Sequence, residues 1–286
     1  MTTNRLTVAT CQMPVLADCR ENGRVMRTFI AAAAGLGADV AHFGEAALSG
    51  YGGVSFSSWE GYDWEALRQE TEAVMVCCRE FRIAAVFGSS HPLSSGHLPH
   101  NCVYVVGDDG SLLDRYDKRI CSVRDCRNYM PGDHLVAFPL KGVQCGVLIC
   151  MESRFPELWL GYNRLDVDLV FHSTSSSLKL TADTLFSDIA IPMMQAHAHQ
   201  HECFISMASW CPAYQEFPSA WLRRSGRVGC LSPRHEAGII INCIADEPEK
   251  DAFYAMVRQS RRQARDGDRY RDLIQPDPRS LQRQAL

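Results

Sequence analysis

In the first third of the chain, short apolar runs alternate with longer segments of helical spacing, and this alternation constrains the fold more than any other feature. Residues 6–11, 38–43 and 83–88 have the length and β-branched content of strands, and residues 21–36 and 64–81 read as helices between them. In the first helix Val25, Met26, Phe29, Ile30 and Ala33 recur at three- and four-residue steps, which places them on one stripe, and Gly35 and Gly37 follow as a stop. The middle of the chain differs. Residues 102–106, 112–116, 135–138 and 143–149 are strand-like and separated by turns such as GDDG and PGD. No helix intervenes there to carry a parallel crossover, so hairpins are expected. A doubly wound parallel sheet fits this stretch poorly. The predicted architecture is α/β, with two mixed sheets packed face to face and helices on both outer sides. Further on, residues 154–165 and 181–201 read as helices, the second carrying Pro192 as a point of kinking or division. Residues 169–172 and 204–208 read as strands, residues 228–231 and 238–244 as a last hairpin-like pair, and a basic helical tail runs from Pro248 to about Arg265.

With 286 residues and 46% hydrophobic content, the chain can bury a large core, and residues 1–286 are expected to form one domain with the helical tail from about 248. A net charge of -4 provides no broad positive field for a polyanion, which excludes nucleic acid as the main partner and favours a small molecule. No apolar run approaches the roughly 18 residues needed to span a bilayer, so no membrane partner is expected. The opening MTTNRLTVATCQ lacks the basic-then-apolar layout of a signal peptide, so the thirteen cysteines are expected to be reduced thiols in the cytoplasm.

Three apolar strands end on a chemically capable side chain: VAHFGE on Glu45, LLDRYDK on Lys118 and VQCGVLIC on Cys150. A strand-terminal Glu or Lys is ordinarily a solvated boundary residue, and a strand-terminal Cys is ordinarily core. Together they supply what thiol acyl transfer requires: a nucleophile, a base for its proton and a cation for the developing oxyanion. Cys150 also precedes a predicted helix start, where free N–H groups and a nearby Lys are expected to lower its pKa. The other cysteines lack such company, and no CxxC pair marks a zinc or redox site.

These stretches resemble the nitrilase superfamily of carbon–nitrogen hydrolases, in its amidase and carbamoylase branch. The likeness begins at Val8-Ala9-Thr10-Cys11-Gln12 and continues through Gly44-Glu45-Ala46-Ala47-Leu48-Ser49-Gly50-Tyr51 and Tyr116-Asp117-Lys118. It is strongest over Cys145-Gly146-Val147-Leu148-Ile149-Cys150-Met151-Glu152-Ser153-Arg154-Phe155-Pro156-Glu157 and extends to Ser219 and Gly226. The resemblance implies a four-layer α-β-β-α sandwich, catalytic Glu45, Lys118 and Cys150, a backbone oxyanion donor at Met151, no cofactor, and a homodimer or higher homo-oligomer. The implied reaction is cleavage of a non-peptide carbon–nitrogen bond in a small amide or N-carbamoyl substrate through a thioester, with release of ammonia or an amine.

Some positions depart from the family pattern. Asp125 stands where many members carry a second Glu, leaving either a shortened second carboxylate or a surface Asp paired with Arg124 or Arg127. Glu152, two residues after the nucleophile, is more usual in nitrile-cleaving relatives; a nitrilase, or a silent relative serving as a binding protein, is the alternative reading. Tyr51, Trp59, Glu152 and Ser175 are pocket candidates. His197 and His201 share a helix face but are read as packing at a subunit contact, and no metal is expected.

Overall fold

The computed structural model describes residues 5–175, 185–212 and 215–244, together with Met256, Gln259 and Ser260. The chain divides into two compact units, Met1–Asp246 and Glu247–Leu286. In the second, Met256, Gln259 and Ser260 are helical, and the rest of the expected basic tail, including Arg258, Arg261, Arg262 and Arg265, lies outside the described residues.

The first unit contains two six-stranded sheets. One is built from β1 (Leu6–Gln12), β2 (Val40–His42), β3 (Ala84–His91), β4 (His100–Val106), β5 (Leu112–Asp117) and β12 (Gly238–Ile244), ordered β12-β1-β2-β3-β4-β5. The other contains β6 (Ala137–Leu140), β7 (Val143–Ile149), β8 (Leu169–Ser173), β9 (Phe204–Ala208), β10 (Ala220–Leu222) and β11 (Val228–Leu231), ordered β11-β10-β9-β8-β7-β6. Helices α1 (Cys19–Gly35) and α2 (Trp64–Phe81) make the parallel crossovers β1-β2 and β2-β3, with Val8 opposite Val40 and Val40 opposite Ala84. Helices α3 (Pro156–Arg164) and α4 (Leu185–His201) do the same for β7-β8 and β8-β9. The helix-free middle makes antiparallel pairs, β3-β4, β4-β5 and β6-β7. Asp18 and Asp63 cap α1 and α2, accepting from Arg20 N and Ala66 N at 2.9 Å each.

Strand alternation sorts side chains into three layers. Val8, Val86, Val103, Val147, Ile149 and Phe171 fill the space between the sheets. Their neighbours Ala9 and Phe87 face α1 and α2, where Met26, Ile30, Val74 and Cys78 are buried, and Leu148 and Val170 join Trp159, Tyr162 and Met194 beneath α3 and α4. The result is the four-layer α-β-β-α sandwich.

Two details differ from the sequence reading. The pair 228–231 and 238–244 is not a hairpin: β11 pairs with β10 in one sheet and β12 with β1 in the other. The connection crosses the edge of the sandwich and is held there by Gln12. Its Nε2 donates to the carbonyls of Pro233 and Glu236 at 2.7 and 2.8 Å, while Oε1 accepts from Ser219 N at 2.7 Å. Pro192 does not divide the second long helix, since α4 runs through it; the expected start of that helix at 181–184 lies outside the described residues.

Candidate active site

Strand directions bring the candidate residues to one end of the sandwich. β5 runs parallel to β2 because two antiparallel steps, β3-β4 and β4-β5, separate it from β3. The carboxyl ends of both strands therefore lie on the same side. Lys118 follows β5 directly, Glu45 lies a short turn beyond β2, and Cys150 follows β7 of the other sheet.

The turn carrying Glu45 is tightly built. Ala46 takes a left-handed φ of 50°, Glu45 N donates to the Thr174 carbonyl at 3.3 Å, and Trp210 Nε1 donates to the Glu45 carbonyl at 2.7 Å. The neighbouring strand approaches so closely that a Cβ at Gly88 would sit 2.3 Å from the Gly44 oxygen and 2.4 Å from Ala46 N. Only glycine leaves the turn in place there. The Glu45 side chain is fully buried. Its Oε1 accepts from Lys118 Nζ at 2.7 Å and Asn101 Nδ2 at 2.8 Å, while Oε2 has no protein partner.

Lys118 is buried and also lies 3.0 Å from Asp125 Oδ2. Burial opposes its charge, but Glu45, Cys150 and Asp125 outweigh that cost and hold the ammonium well above the ordinary lysine value. Asp125 is buried rather than a surface partner of Arg124 or Arg127. It accepts from Tyr51 Oη at Oδ1 and from Ser122 N at Oδ2, the latter at 2.9 Å. Burial pushes its carboxyl up, but Lys118, Tyr51 and Ser122 together hold it below the usual carboxylate value.

Cys150 begins a 3-10 turn spanning Cys150–Arg154 and has a left-handed φ of 51°. For a non-glycine residue this conformation is costly and persists only where the surroundings impose it. The expected lowering of the thiol pKa is not found. Burial and the Glu45 carboxylate push it up to about 12, while Lys118 and a hydrogen bond with Thr174 pull it down by less. Lys118 is shared between two carboxyl groups, and a thiolate would add a further negative charge beside them. The resting Cys150 side chain is a neutral thiol.

Glu152 is corrected from pocket candidate to brace. Oε1 accepts from Arg119 N and Ile120 N at 2.7 and 3.1 Å, Oε2 accepts from Ile149 N at 2.8 Å, and Tyr116 Oη donates to both oxygens at 2.9 Å. One carboxylate thus ties the start of the Cys150 turn to the segment after Lys118. Tyr51 lies at the cluster, with Lys118 Nζ 5.9 Å from its ring centre. Trp59 sits farther out, packed edge-on against Tyr129 at 5.6 Å and donating to the Asn128 carbonyl at 2.8 Å. Ser175 is buried, one residue beyond Thr174. Met151 follows Cys150 in the turn, as its proposed role requires.

Asn101 was not singled out from sequence, whereas Thr174 lies in the hydroxyl-rich stretch after residues 169–172. Asn101 had a visible signal, a lone amide at the start of the apolar run CVYVV. His197 and His201 of α4 pack within the chain, His197 stacking on Trp159 at 4.3 Å and His201 at 5.5 Å, while His199 is exposed. Among the described residues, no group of three or more His, Cys, Asp or Glu side chains could hold a metal ion, and no helix is long and apolar enough to cross a membrane.

The fold has counterparts. The chain superposes on a variant of the Nesterenkonia AN1 amidase from the nitrilase superfamily with a TM-score of 0.74 at 16% identity, covering 89% of this chain and 97% of that one. A second variant of that amidase bears the acetamide moiety of fluoroacetamide on its active-site cysteine; it matches at a TM-score of 0.73 and 16% identity, covering 88% of this chain and 96% of the other. The glutamine-dependent NAD+ synthetase from Acinetobacter baumannii matches at a TM-score of 0.71 and 19% identity, with 85% of this chain covering 46% of that one. At such identities the likeness is one of fold. The model of the carbon–nitrogen hydrolase family matches residues 7–238, well over half of the sequence. The chain belongs to the carbon–nitrogen hydrolase family.

Proposed function

We propose that the protein is a cysteine-dependent amidohydrolase acting on a small amide or N-carbamoyl compound. The observation that carries this reading is the buried cluster in which Lys118 pairs with both Glu45 and Asp125 beside the strained turn at Cys150. Glu45 is the base: Oε1 is held by Lys118 and Asn101, and Oε2 is free to accept a proton. As Glu45 takes the thiol proton, sulfur attacks the substrate carbonyl carbon, and the charge of the cluster is unchanged because one anion replaces another. Lys118 and the Met151 N–H stabilise the oxyanion. The tetrahedral adduct collapses, the carbon–nitrogen bond breaks, and the leaving nitrogen takes the proton from Glu45. Water then gives a proton to Glu45 and attacks the thioester. Collapse breaks the carbon–sulfur bond, and the proton returns to Cys150.

Asp125 is the second carboxylate, holding Lys118 together with Glu45. Support also comes from the amidase of the same fold that carries an acetamide moiety on its cysteine. The nitrilase alternative rested on Glu152, whose carboxylate is taken up by protein donors, so amide chemistry leads. A cytoplasmic homo-oligomer is the setting we propose, and the lack of a disulfide among the described residues accords with a reducing compartment. The test is ammonia release from a panel of aliphatic amides, N-carbamoyl amino acids and nitriles by the parent, Cys150→Ala and Glu45→Gln. Turnover of amides or carbamoyl compounds that both substitutions abolish is expected; turnover of nitriles alone, or full activity of Cys150→Ala, overturns the reading.

A further inference from the structure

The carbonyl oxygen of Cys150 is held by two side chains. His172 Nε2 lies 2.8 Å from it, and Ser153 Oγ donates to it at 3.0 Å. A ring nitrogen at that distance from a carbonyl must carry the proton, so neutral His172 is the Nε2–H tautomer. Its Nδ1 is buried without a partner. The side chain is 3% exposed, in the middle of the apolar strand β8, and it reaches across to β7. A buried imidazole that satisfies only one of its two nitrogens is a costly choice for a core position. What it obtains is a fixed Cys150–Met151 peptide.

A trans peptide is planar, with the carbonyl of one residue and the N–H of the next pointing in opposite directions. Fixing the Cys150 oxygen therefore fixes the direction of the Met151 N–H, the donor assigned above to the oxyanion. The left-handed φ of 51° at Cys150 makes this constraint matter, because an unrestrained peptide there would relax toward an ordinary conformation and swing the N–H away.

We propose that His172, assisted by Ser153, is a positioning residue that aims the Met151 N–H at the oxyanion by pinning the Cys150 carbonyl. Burial drives the imidazole down to about 4, so it remains a neutral single donor throughout the working range. The hydroxyl of Ser153 acts from within the turn and His172 from the neighbouring strand, so the peptide is clamped by two independent elements.

The proposal rests on the assignment of Cys150 as nucleophile, and two reactions at that thiol separate the two ideas. Acylation by p-nitrophenyl acetate passes through an oxyanion and needs the N–H. Alkylation by iodoacetamide displaces iodide at a saturated carbon and forms no oxyanion; it needs the thiol proton removed, as acylation does, so that shared requirement cancels in the ratio. Both rates are read by mass spectrometry on the peptide containing Cys150. In His172→Phe the ratio of acylation to alkylation is expected to fall about tenfold or more, short of the 10²–10³ that follows deletion of an oxyanion donor outright. His172→Gln, whose amide N–H can stand in for Nε2–H, should recover most of the ratio, and Ser153→Ala should lower it by a smaller factor. An unchanged ratio in His172→Phe, or equal losses in both reactions, overturns the positioning role. Acylation at undiminished rate in Cys150→Ala would instead overturn the nucleophile assignment itself.

Discussion

Replacing Lys118 by methionine tests the electrostatic account of the site through stability alone. The ammonium is 1% exposed on its side chain and lies 2.7 Å from Glu45 and 3.0 Å from Asp125. Methionine keeps much of the volume and removes the charge, leaving two buried carboxylates with no cation. Removing one partner of a buried ion pair costs about 3–5 kcal/mol, because the remaining charge is uncompensated. For a chain of this size each kcal/mol lowers Tm by about 2–4 °C, which gives a fall of roughly 10 °C near neutral pH. The pH dependence has a defined sign. In the parent, Asp125 is held below its ordinary value, so its contribution is present above the unfolded carboxylate value and is lost as pH falls through the folded one. In Lys118→Met, burial acts on Asp125 with no ammonium to oppose it, and its folded value is expected to rise above the unfolded one. The variant is then penalised where Asp125 must ionise and relieved where it can take up a proton. The gap in Tm between parent and variant should be widest at pH 7.5 and narrow as pH falls toward 5, measured by differential scanning calorimetry. A gap under about 2 °C at pH 7.5, or one that does not narrow on acidification, would refute the reasoning.

Three further outcomes follow from the same geometry. Asp125→Asn removes an anion that raises the Cys150 thiol, so the pH midpoint for iodoacetamide alkylation of Cys150 should move down from about 12; a midpoint that stays or rises contradicts the charge account. Gly88→Ala places a Cβ 2.3 Å from the Gly44 oxygen, and the displaced Glu45 turn should show as at least a tenfold drop in amide turnover, with a lower Tm, relative to a control substitution at Gly35, where a Cβ meets nothing within 4 Å. Glu152→Ala strips the acceptor from three backbone N–H groups and should lower stability by about 3 kcal/mol or more in urea denaturation; Glu152→Gln, which keeps one carbonyl acceptor, should lose less.

The fold was largely legible because its main instructions are local. Crossover helices must be long, amphipathic and flanked by apolar runs, and residues 64–81 show all of this without reference to any partner. The lack of a helix between residues 84 and 150 correctly pointed to antiparallel pairing, as β3-β4, β4-β5 and β6-β7 show. What the sequence could not show was which strand a short edge segment would join. β10 is three residues long and carries too little pattern to be recognised, and without it β11 had no visible partner except β12. The side chain that sends β12 to the other sheet is Gln12, over two hundred residues away in sequence from the carbonyls it holds.

The residue types of the candidate site can be read along the chain but their charge state cannot, and the difference lies in what Lys118 already does. Read along the chain, a lysine near a cysteine at the start of a helical turn argues for a thiolate. In space, that lysine is committed to two carboxylates, and the field at the sulfur is set by the surplus of anions together with burial. Distance along the sequence hides this surplus, because Asp125 comes from the loop after β5 and Glu45 from the turn after β2, far upstream. The consequence for mechanism is specific. A preformed thiolate would make Glu45 useful only for protonating the leaving group and activating water. A thiol held in its neutral form makes Glu45 necessary at the first step as well, since sulfur becomes nucleophilic only as its proton departs. Glu45→Gln should therefore slow acylation by an activated ester, whose leaving group needs no proton. In an enzyme with a resting thiolate the same substitution would leave that step nearly untouched.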